Sequence, residues 1–240
     1  MKPGIALLFL LTCVSSCTKK GIYSSSNSNN NTMPVTEMKY HYLALGDSYT
    51  IGESVATQDN FPNQAADILA KDSIYIYPPR IIARTGWTTN ELKNGINAAN
   101  AMEPLRNPYD FVSLLIGVNN QYRGYPPGNY KTEFEDLLKK AILYAGNRPG
   151  RVIVLSIPDW GVTPFAEGRD RAQIAAEIDV YNRLNKEIAL RYGVRYLDIT
   201  PWTREAAADP SLLAPDGLHP SAREYLRWAE QVAFFFKSVI

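Results

Sequence analysis

LALGDSYTIGE, residues Leu43 to Glu53, passes from an apolar run straight into glycine, an acid and a hydroxyl. The run belongs to a strand expected over Tyr40 to Gly46, so Ser48 falls in the turn beyond the strand's carboxyl end. Ser48 is then either a residue that caps the next helix or a nucleophile held at the edge of a sheet. What else reaches that edge decides between the two.

Outward from this stretch, short apolar runs alternate with longer segments of helical periodicity, the pattern of βα units around a mostly parallel sheet. Further strands are expected over Arg80 to Arg84, Phe111 to Gly117, Arg151 to Ile157 and Val194 to Ile199, which makes the sheet five-stranded. The runs from Phe111 and from Arg151 are almost continuously apolar, as strands covered on both faces should be. Between the strands, apolar residues recur at helical spacing: Phe61, Ala65, Ile68 and Leu69, then Tyr130, Phe134, Leu137, Leu138 and Ala141, then Ile174, Ile178, Tyr181, Leu184 and Ile188. These stripes are assigned to the core. The last helix opens at HPSAREYL, where Ser221 and Glu224 have the spacing of a capping box. There is no internal repeat and no sign of a second folded domain.

The polar residues of interest all follow expected strands. Ser48 follows the first, Gly86 the second (RIIARTGWTT) and Asn119 the third (LLIGVNNQYRG), while Asp216 and His219 lie between the last strand and the last helix (APDGLHPS). In open α/β sheets ligands bind at the carboxyl ends of the strands, so these loops converge on one cleft. The chain has 2 histidines. His41 lies before the end of its strand, which leaves His219 as the imidazole at that edge.

A serine hydroxyl needs a base to take its proton as it attacks, and His219 is the candidate. Asp216, three residues earlier, is placed to hold the other ring nitrogen and to stabilise the imidazolium. It also offsets the positive end of the helix that follows His219. The backbone N–H groups of Ser48 and Gly86 and the side-chain amide of Asn119 are placed to meet a developing oxyanion.

GDSYT around Ser48, Gly86, GVNN at Gly117 to Asn120 and DGLH at Asp216 to His219 resemble, in order, the four blocks of the GDSL or SGNH ester hydrolases. The resemblance runs from about residue 40 to the C-terminus. It implies a three-layer α/β/α sandwich of flavodoxin-like kind, with neither metal nor organic cofactor. It implies Ser48 as nucleophile and first oxyanion donor, Gly86 and Asn119 as the other donors, His219 as base and Asp216 as its orienting acid. Tyr49 stands where the family commonly has leucine, and Asn120 where it often has aspartate. The G-x-S-x-G elbow of the α/β-hydrolases is absent from the sequence.

Composition narrows the setting. Lys and Arg number 25 against 24 Asp and Glu, so no basic stripe marks a nucleic-acid partner. The start, MKPGIALLFLLTCVSSCTKK, has Lys2, a short apolar run from Ile5 to Val14 and small residues before Cys17, the layout of a secretory signal. VSSC resembles a bacterial lipobox and fits better than LLTC at Cys13, where Thr12 occupies a position usually held by a smaller residue. The expected organisation is a lipoprotein signal peptide over 1–16, lipidation at Cys17, a flexible Ser/Asn-rich tether over 17–37 and a hydrolase domain over 38–240. The chain is then extracytoplasmic and anchored to a bacterial membrane, at the periplasmic face or the cell surface, and is expected to be a monomer. Cleavage before Cys17 removes Cys13 and leaves no thiol for a disulfide or a thiolate metal site.

Aromatic residues mark the substrate side: Trp87 after Gly86, Tyr122 and Tyr125 in the third loop, Trp160 and Phe165 in IPDWGVTPFAEG. Rings at a cleft edge stack on sugar faces or line an acyl slot. The expected activity is a carboxylesterase acting on a small acyl ester, with an acetylated carbohydrate as substrate. The alternative within the same chemistry is a lysophospholipase or thioesterase with a longer acyl pocket, for which Arg84 and Arg123 would serve a headgroup. A non-catalytic surface binding protein on the same fold has no need of Ser48, Asp216 and His219 together.

Overall fold

A computed structural model describes residues 38–240. The expected signal peptide over 1–16, the lipidation site Cys17 and the tether over 17–37 lie outside the described residues. In chain order the elements are β1 (Lys39–Tyr40), β2 (Tyr42–Asp47), α1 (Ser48–Ile51), α2 (Phe61–Lys71), β3 (Tyr75–Ile76), β4 (Arg80–Arg84) and α3 (Thr89–Met102). There follow β5 (Phe111–Leu115), α4 (Val118–Tyr122), α5 (Pro127–Tyr144), β6 (Val152–Leu155), α6 (Arg171–Arg191), β7 (Arg195–Leu197), α7 (Thr200–Arg204) and α8 (Ala222–Ser238).

The main sheet has the order β4-β2-β5-β6-β7 and every pairing in it is parallel. Numbered by these five strands alone, the order is 2-1-3-4-5, the flavodoxin-like winding, whose switch point lies between the first and third strands. Those strands are β2 and β5, which carry Ser48 and Asn119 just past their ends. Every residue of β2, β5 and β6 is buried, whereas the edge strands β4 and β7 keep exposed arginines at Arg80, Arg84 and Arg195. The apolar runs therefore mark the strands covered on both faces.

One helical layer pairs α2 with α8, and the other sets α3, α5 and α6 side by side. Phe236 of α8 stacks on Phe111 of β5 with centroids 4.1 Å apart and meets Tyr42 of β2 edge-on at 4.9 Å. The opposite layer holds Tyr130 and Tyr181, from α5 and α6, 4.5 Å apart. In the three helical stripes all residues are buried apart from Ile68 and Leu184, which are half-buried.

Several details differ from the sequence expectation. The strand expected over Tyr40 to Gly46 is broken at His41, because Lys39 and Tyr40 leave the main sheet to pair in parallel with Tyr75 and Ile76. The strand expected to reach Gly117 ends at Leu115, and the one expected over Val194 to Ile199 is confined to Arg195–Leu197. Helix α3 is not announced by an apolar stripe, since only Leu92 and Ile96 among its large apolar residues are buried. Its capping box is explicit all the same: the Thr88 N–H donates to Glu91 Oε2 at 2.8 Å and the Glu91 N–H to Thr88 Oγ1 at 3.5 Å. The box expected at Ser221 does not form. Ser221 occupies the N-cap position with an unpartnered hydroxyl, its N–H donates to Leu212 O at 2.8 Å, and the buried Glu224 carboxylate accepts instead from Trp228 Nε1 and Arg227 Nη1, each at 2.9 Å.

Among the described residues no helix is long and apolar enough to cross a membrane. Nor do any three His, Cys, Asp or Glu side chains gather there in a way that would hold a metal ion.

Candidate active site

Ser48 is the first residue of α1 and not its cap. Asp47 holds the cap position with extended backbone, and its Oδ1 accepts from the Tyr49 N–H at 3.1 Å. The first amides of a helix have no intrahelical acceptor, so the Ser48 N–H points out of the helix start beside its own hydroxyl. Ser48 is buried.

Asp47 is itself buried, and burial pushes its carboxyl up to about 7, with hydrogen bonds from the Tyr49 amide and Asn119 offsetting only part of the cost. From its ordinary value of 3.8 up to about 7, the folded protein keeps a proton that the unfolded chain has already lost. Stability therefore falls as pH rises through that window. Asp47→Asn keeps a capping oxygen and removes the titration. Urea unfolding at pH 4.5 and 7 is expected to show a decline in the wild type that the variant lacks; equal slopes would mean that Asp47 does not titrate in this range.

The second loop carries Gly86, whose φ of +80° is costly for any residue with a Cβ. Its N–H has no acceptor among the described residues, since the turn is closed by the Trp87 N–H donating to Arg84 O at 3.2 Å. The loop is fixed from both sides. Arg123 donates from Nη2 to Gly86 O at 2.6 Å and pairs through Nη1 with Glu91 at 3.2 Å, while Thr85 donates its hydroxyl to Glu53. Arg123 is thus occupied in holding this loop and is not free to receive a headgroup.

Asn119 begins the third contribution, one residue into α4. Its Nδ2 donates to Trp87 O at 3.0 Å and, through a long bond, to Asp47 Oδ2 at 3.5 Å, so the strong bond orients the amide and the long one is the bond an oxyanion would compete for. The neighbouring Asn120 is buried and clips the start of α3: it accepts from the Thr89 N–H at 3.0 Å and donates to Thr89 Oγ1 at 2.7 Å. Thr89 in turn donates to Glu133. An amide at position 120 leaves that threonine proton for Glu133, which accounts for asparagine where the family often has an acid.

The fourth contribution is the loop before α8. An antiparallel bridge between Leu213 and Pro220 closes it, with the Ala214 N–H donating to His219 O at 2.7 Å. Within it Asp216 divides its two oxygens: Oδ1 accepts the Leu218 and His219 N–H groups, each at 3.0 Å, and Oδ2 meets His219 Nδ1 at 2.6 Å and the Ser54 hydroxyl at 2.7 Å. Partial burial opposes the charged form. The hydrogen bonds from His219, Leu218 and Ser54 outweigh it and hold Asp216 at about 2. His219 is buried, and its ring lies 4.8 Å from that of Tyr49.

These loops line an open cleft of about 120 Å³ whose walls include Ser48, Gly86, Asn119 and His219. Tyr122, Trp160 and Phe165 also line it, with ring centroids 5.2 to 6.0 Å apart, and the Arg169 guanidinium lies over Tyr122 and Trp160. Trp87 and Tyr125, expected at the substrate side, do not line it. The Trp87 ring packs on α3, where a Cβ at position 95 would fall 2.1 Å from it, so Gly95 makes room for the indole. Tyr125 is partly exposed, and its carbonyl accepts from the Tyr181 hydroxyl.

Residues 44–226 match the model of the GDSL-like lipase/acylhydrolase family. The chain belongs to that family. As a GDSL-like acylhydrolase it is a carboxylic ester hydrolase. By sequence alone no curated protein matches it. Solved structures share its fold. A lipase/acylhydrolase from Enterococcus faecalis is 18% identical with a TM-score of 0.62, covering 83% of this chain and 96% of that one. Axe2, an acetylxylan esterase from Geobacillus stearothermophilus, is 21% identical with a TM-score of 0.60, covering 82% and 94%. The esterase EstA from Pseudoalteromonas sp. is 16% identical with a TM-score of 0.59, covering 81% and 96%.

Sequence reading of this GDSL-like hydrolase missed Ser54, Glu53 and the latch made by Arg123 and Glu91. Ser54 has a left-handed backbone at φ 66° and reaches an aspartate 162 positions away, which no local pattern announces. The capping-box spacing of Thr88 and Glu91 was the one available signal.

Proposed function

We propose that this hydrolase cleaves small acyl esters, acetyl above all, from carbohydrate-type substrates through an acyl-enzyme on Ser48. The Ser48 hydroxyl oxygen attacks the ester carbonyl carbon while its proton passes to His219 Nε2. Asp216, ionised at working pH, holds Nδ1–H and stabilises the imidazolium. The negative charge that develops on the carbonyl oxygen is met by the N–H groups of Ser48 and Gly86 and by the Asn119 N–H, which exchanges its long bond to Asp47 for the oxyanion. Such a donor contributes about 3 to 4 kcal/mol of transition-state stabilisation. His219 then gives its proton to the departing alcohol oxygen, and a water, activated by the same base, releases the acid and restores Ser48.

The cavity size carries the choice of acyl group. At about 120 Å³ it is well below the roughly 300–1,000 Å³ of pockets that engulf drug-sized ligands, and Tyr49, Trp160 and Leu218 are among its walls. At the mouth, Tyr122 and Phe165 are exposed, which suits rings that stack on a sugar face. The acetylxylan esterase among the structural relatives is consistent with this reading.

A series of p-nitrophenyl esters from acetate to octanoate, run beside acetylated xylan and lysophosphatidylcholine, tests it. The expected result is a kcat/KM that is highest for acetate and acetate release from xylan. A maximum at octanoate, or turnover of the lysolipid alone, would overturn the assignment. The anchored, extracytoplasmic setting belongs to the same proposal and rests on the Ile5 to Val14 run followed by Ser15, Ser16 and Cys17.

A further inference from the structure

Behind the catalytic cavity lies a second, much smaller void of about 10 Å³, room for a single water. Its far wall includes Ala206, Leu212, Leu213 and Pro220. The polar groups that also face it are already engaged. Asp159 is paired with Arg204 at 2.9 Å and accepts from the Gly161 N–H, also at 2.9 Å. The Thr203 hydroxyl donates to Thr200 O at 2.8 Å, and Glu224 is committed to Trp228 and Arg227. What the void offers an entering group is carbon.

Three residues belong to the walls of both spaces: Tyr49, Trp160 and Leu218. They form the partition between them. Trp160 is tied through its Nε1–H to Gln121 at 2.7 Å, and Gln121 to Glu177 at 2.7 Å. Leu218 is fixed through its amide to Asp216 at 3.0 Å. Tyr49 differs from both. Its ring is buried against His219, yet its hydroxyl forms no hydrogen bond among the described residues. With no such bond to tie it, the ring borders both spaces by its bulk, and it stands at the position where the family commonly carries the shorter leucine.

We propose that Tyr49 sets the acyl-length limit of the enzyme by walling the catalytic cavity off from the apolar void behind it. This rests on the acyl-enzyme reading given above. With the ring removed, the two spaces become one slot that runs inward from Ser48, and a longer acyl chain gains apolar contact there. Each buried methylene favours binding by about fourfold, so the effect accumulates along the chain.

The measurement is the ratio of kcat/KM for p-nitrophenyl hexanoate to that for acetate. Tyr49→Ala is expected to raise this ratio at least tenfold, Tyr49→Leu to raise it less, and Tyr49→Phe to leave it within twofold. Loss of activity on all esters by one common factor would place Tyr49 in support of His219 and overturn the proposal, as would an unchanged ratio in Tyr49→Ala. If Tyr49→Ala does not fold, Tyr49→Leu carries the test, with an unchanged ratio again decisive against it. Failure of the underlying reading looks different: wild-type acetate turnover would be absent or would survive Ser48→Ala, and the proposal would fall with it.

Discussion

Replacing His219 with alanine lowers kcat for an acetyl ester by about 10⁴- to 10⁶-fold, with KM little changed. The size follows from the small number of groups able to do its work. His219 is the imidazole at the carboxyl edge of the sheet, while His41 sits between β1 and β2, stacked on Tyr77 with centroids 4.4 Å apart. Asp216, held at about 2, is too weak a base to take its place. Asp47, raised to about 7 by burial, has its oxygens turned to the Tyr49 amide and Asn119. Steady-state kinetics on p-nitrophenyl acetate checks the expectation, and a loss under tenfold would show that another group accepts the serine proton.

The second large effect is expected from Asp216→Asn, at about 10³- to 10⁴-fold in kcat. The division of labour between the two carboxylate oxygens makes this substitution informative. Oδ1 accepts the Leu218 and His219 N–H groups, and an asparagine oxygen there keeps both bonds and the loop. The asparagine NH₂ then replaces Oδ2 and faces His219 Nδ1 and the Ser54 hydroxyl. Facing a donor, Nδ1 must become the acceptor. The ring proton moves to Nε2, the atom that has to receive the proton from Ser48. The charged Oδ2 that the variant removes also stabilises the fold, so thermal unfolding should shift by a few degrees while kcat collapses by orders of magnitude. A variant that lost stability and activity in parallel would show that Asp216 serves the loop and not the tautomer.

The sequence showed the five strands of the main sheet by their apolar runs, continuous in β5 and β6, whereas the flavodoxin-like winding came from the family resemblance, since the order of βα units does not fix where each strand sits, and the short β1–β3 pair was not expected. It showed the four polar blocks because each follows a strand end. It did not show α3, since Leu92 and Ile96 make too sparse a stripe and Gly95 and the asparagines around it dilute the helical signal. Nor did it distinguish Trp87 from Trp160. Both tryptophans lie in loops past strand ends, and only packing decides that one indole rests on Gly95 while the other forms the cavity wall. Ser54 was invisible for a similar reason: its partner Asp216 is distant in the chain, and the bond depends on a left-handed residue just beyond α1. Ser221 is the N-cap as read, but its capping box failed because a buried Trp228 and the nearby Arg227 hold the glutamate and the Ser221 N–H goes to Leu212 O. In each case the missing information is tertiary.

The expected nucleophile can be tested without knowledge of the natural ester. A fluorophosphonate probe reacts with an activated serine. Intact-mass and peptide analysis of the purified chain after labelling is predicted to find one phosphonyl adduct, on Ser48, and none on Ser48→Ala. Equal labelling of wild type and Ser48→Ala, or an adduct mapped to another residue, would contradict the account.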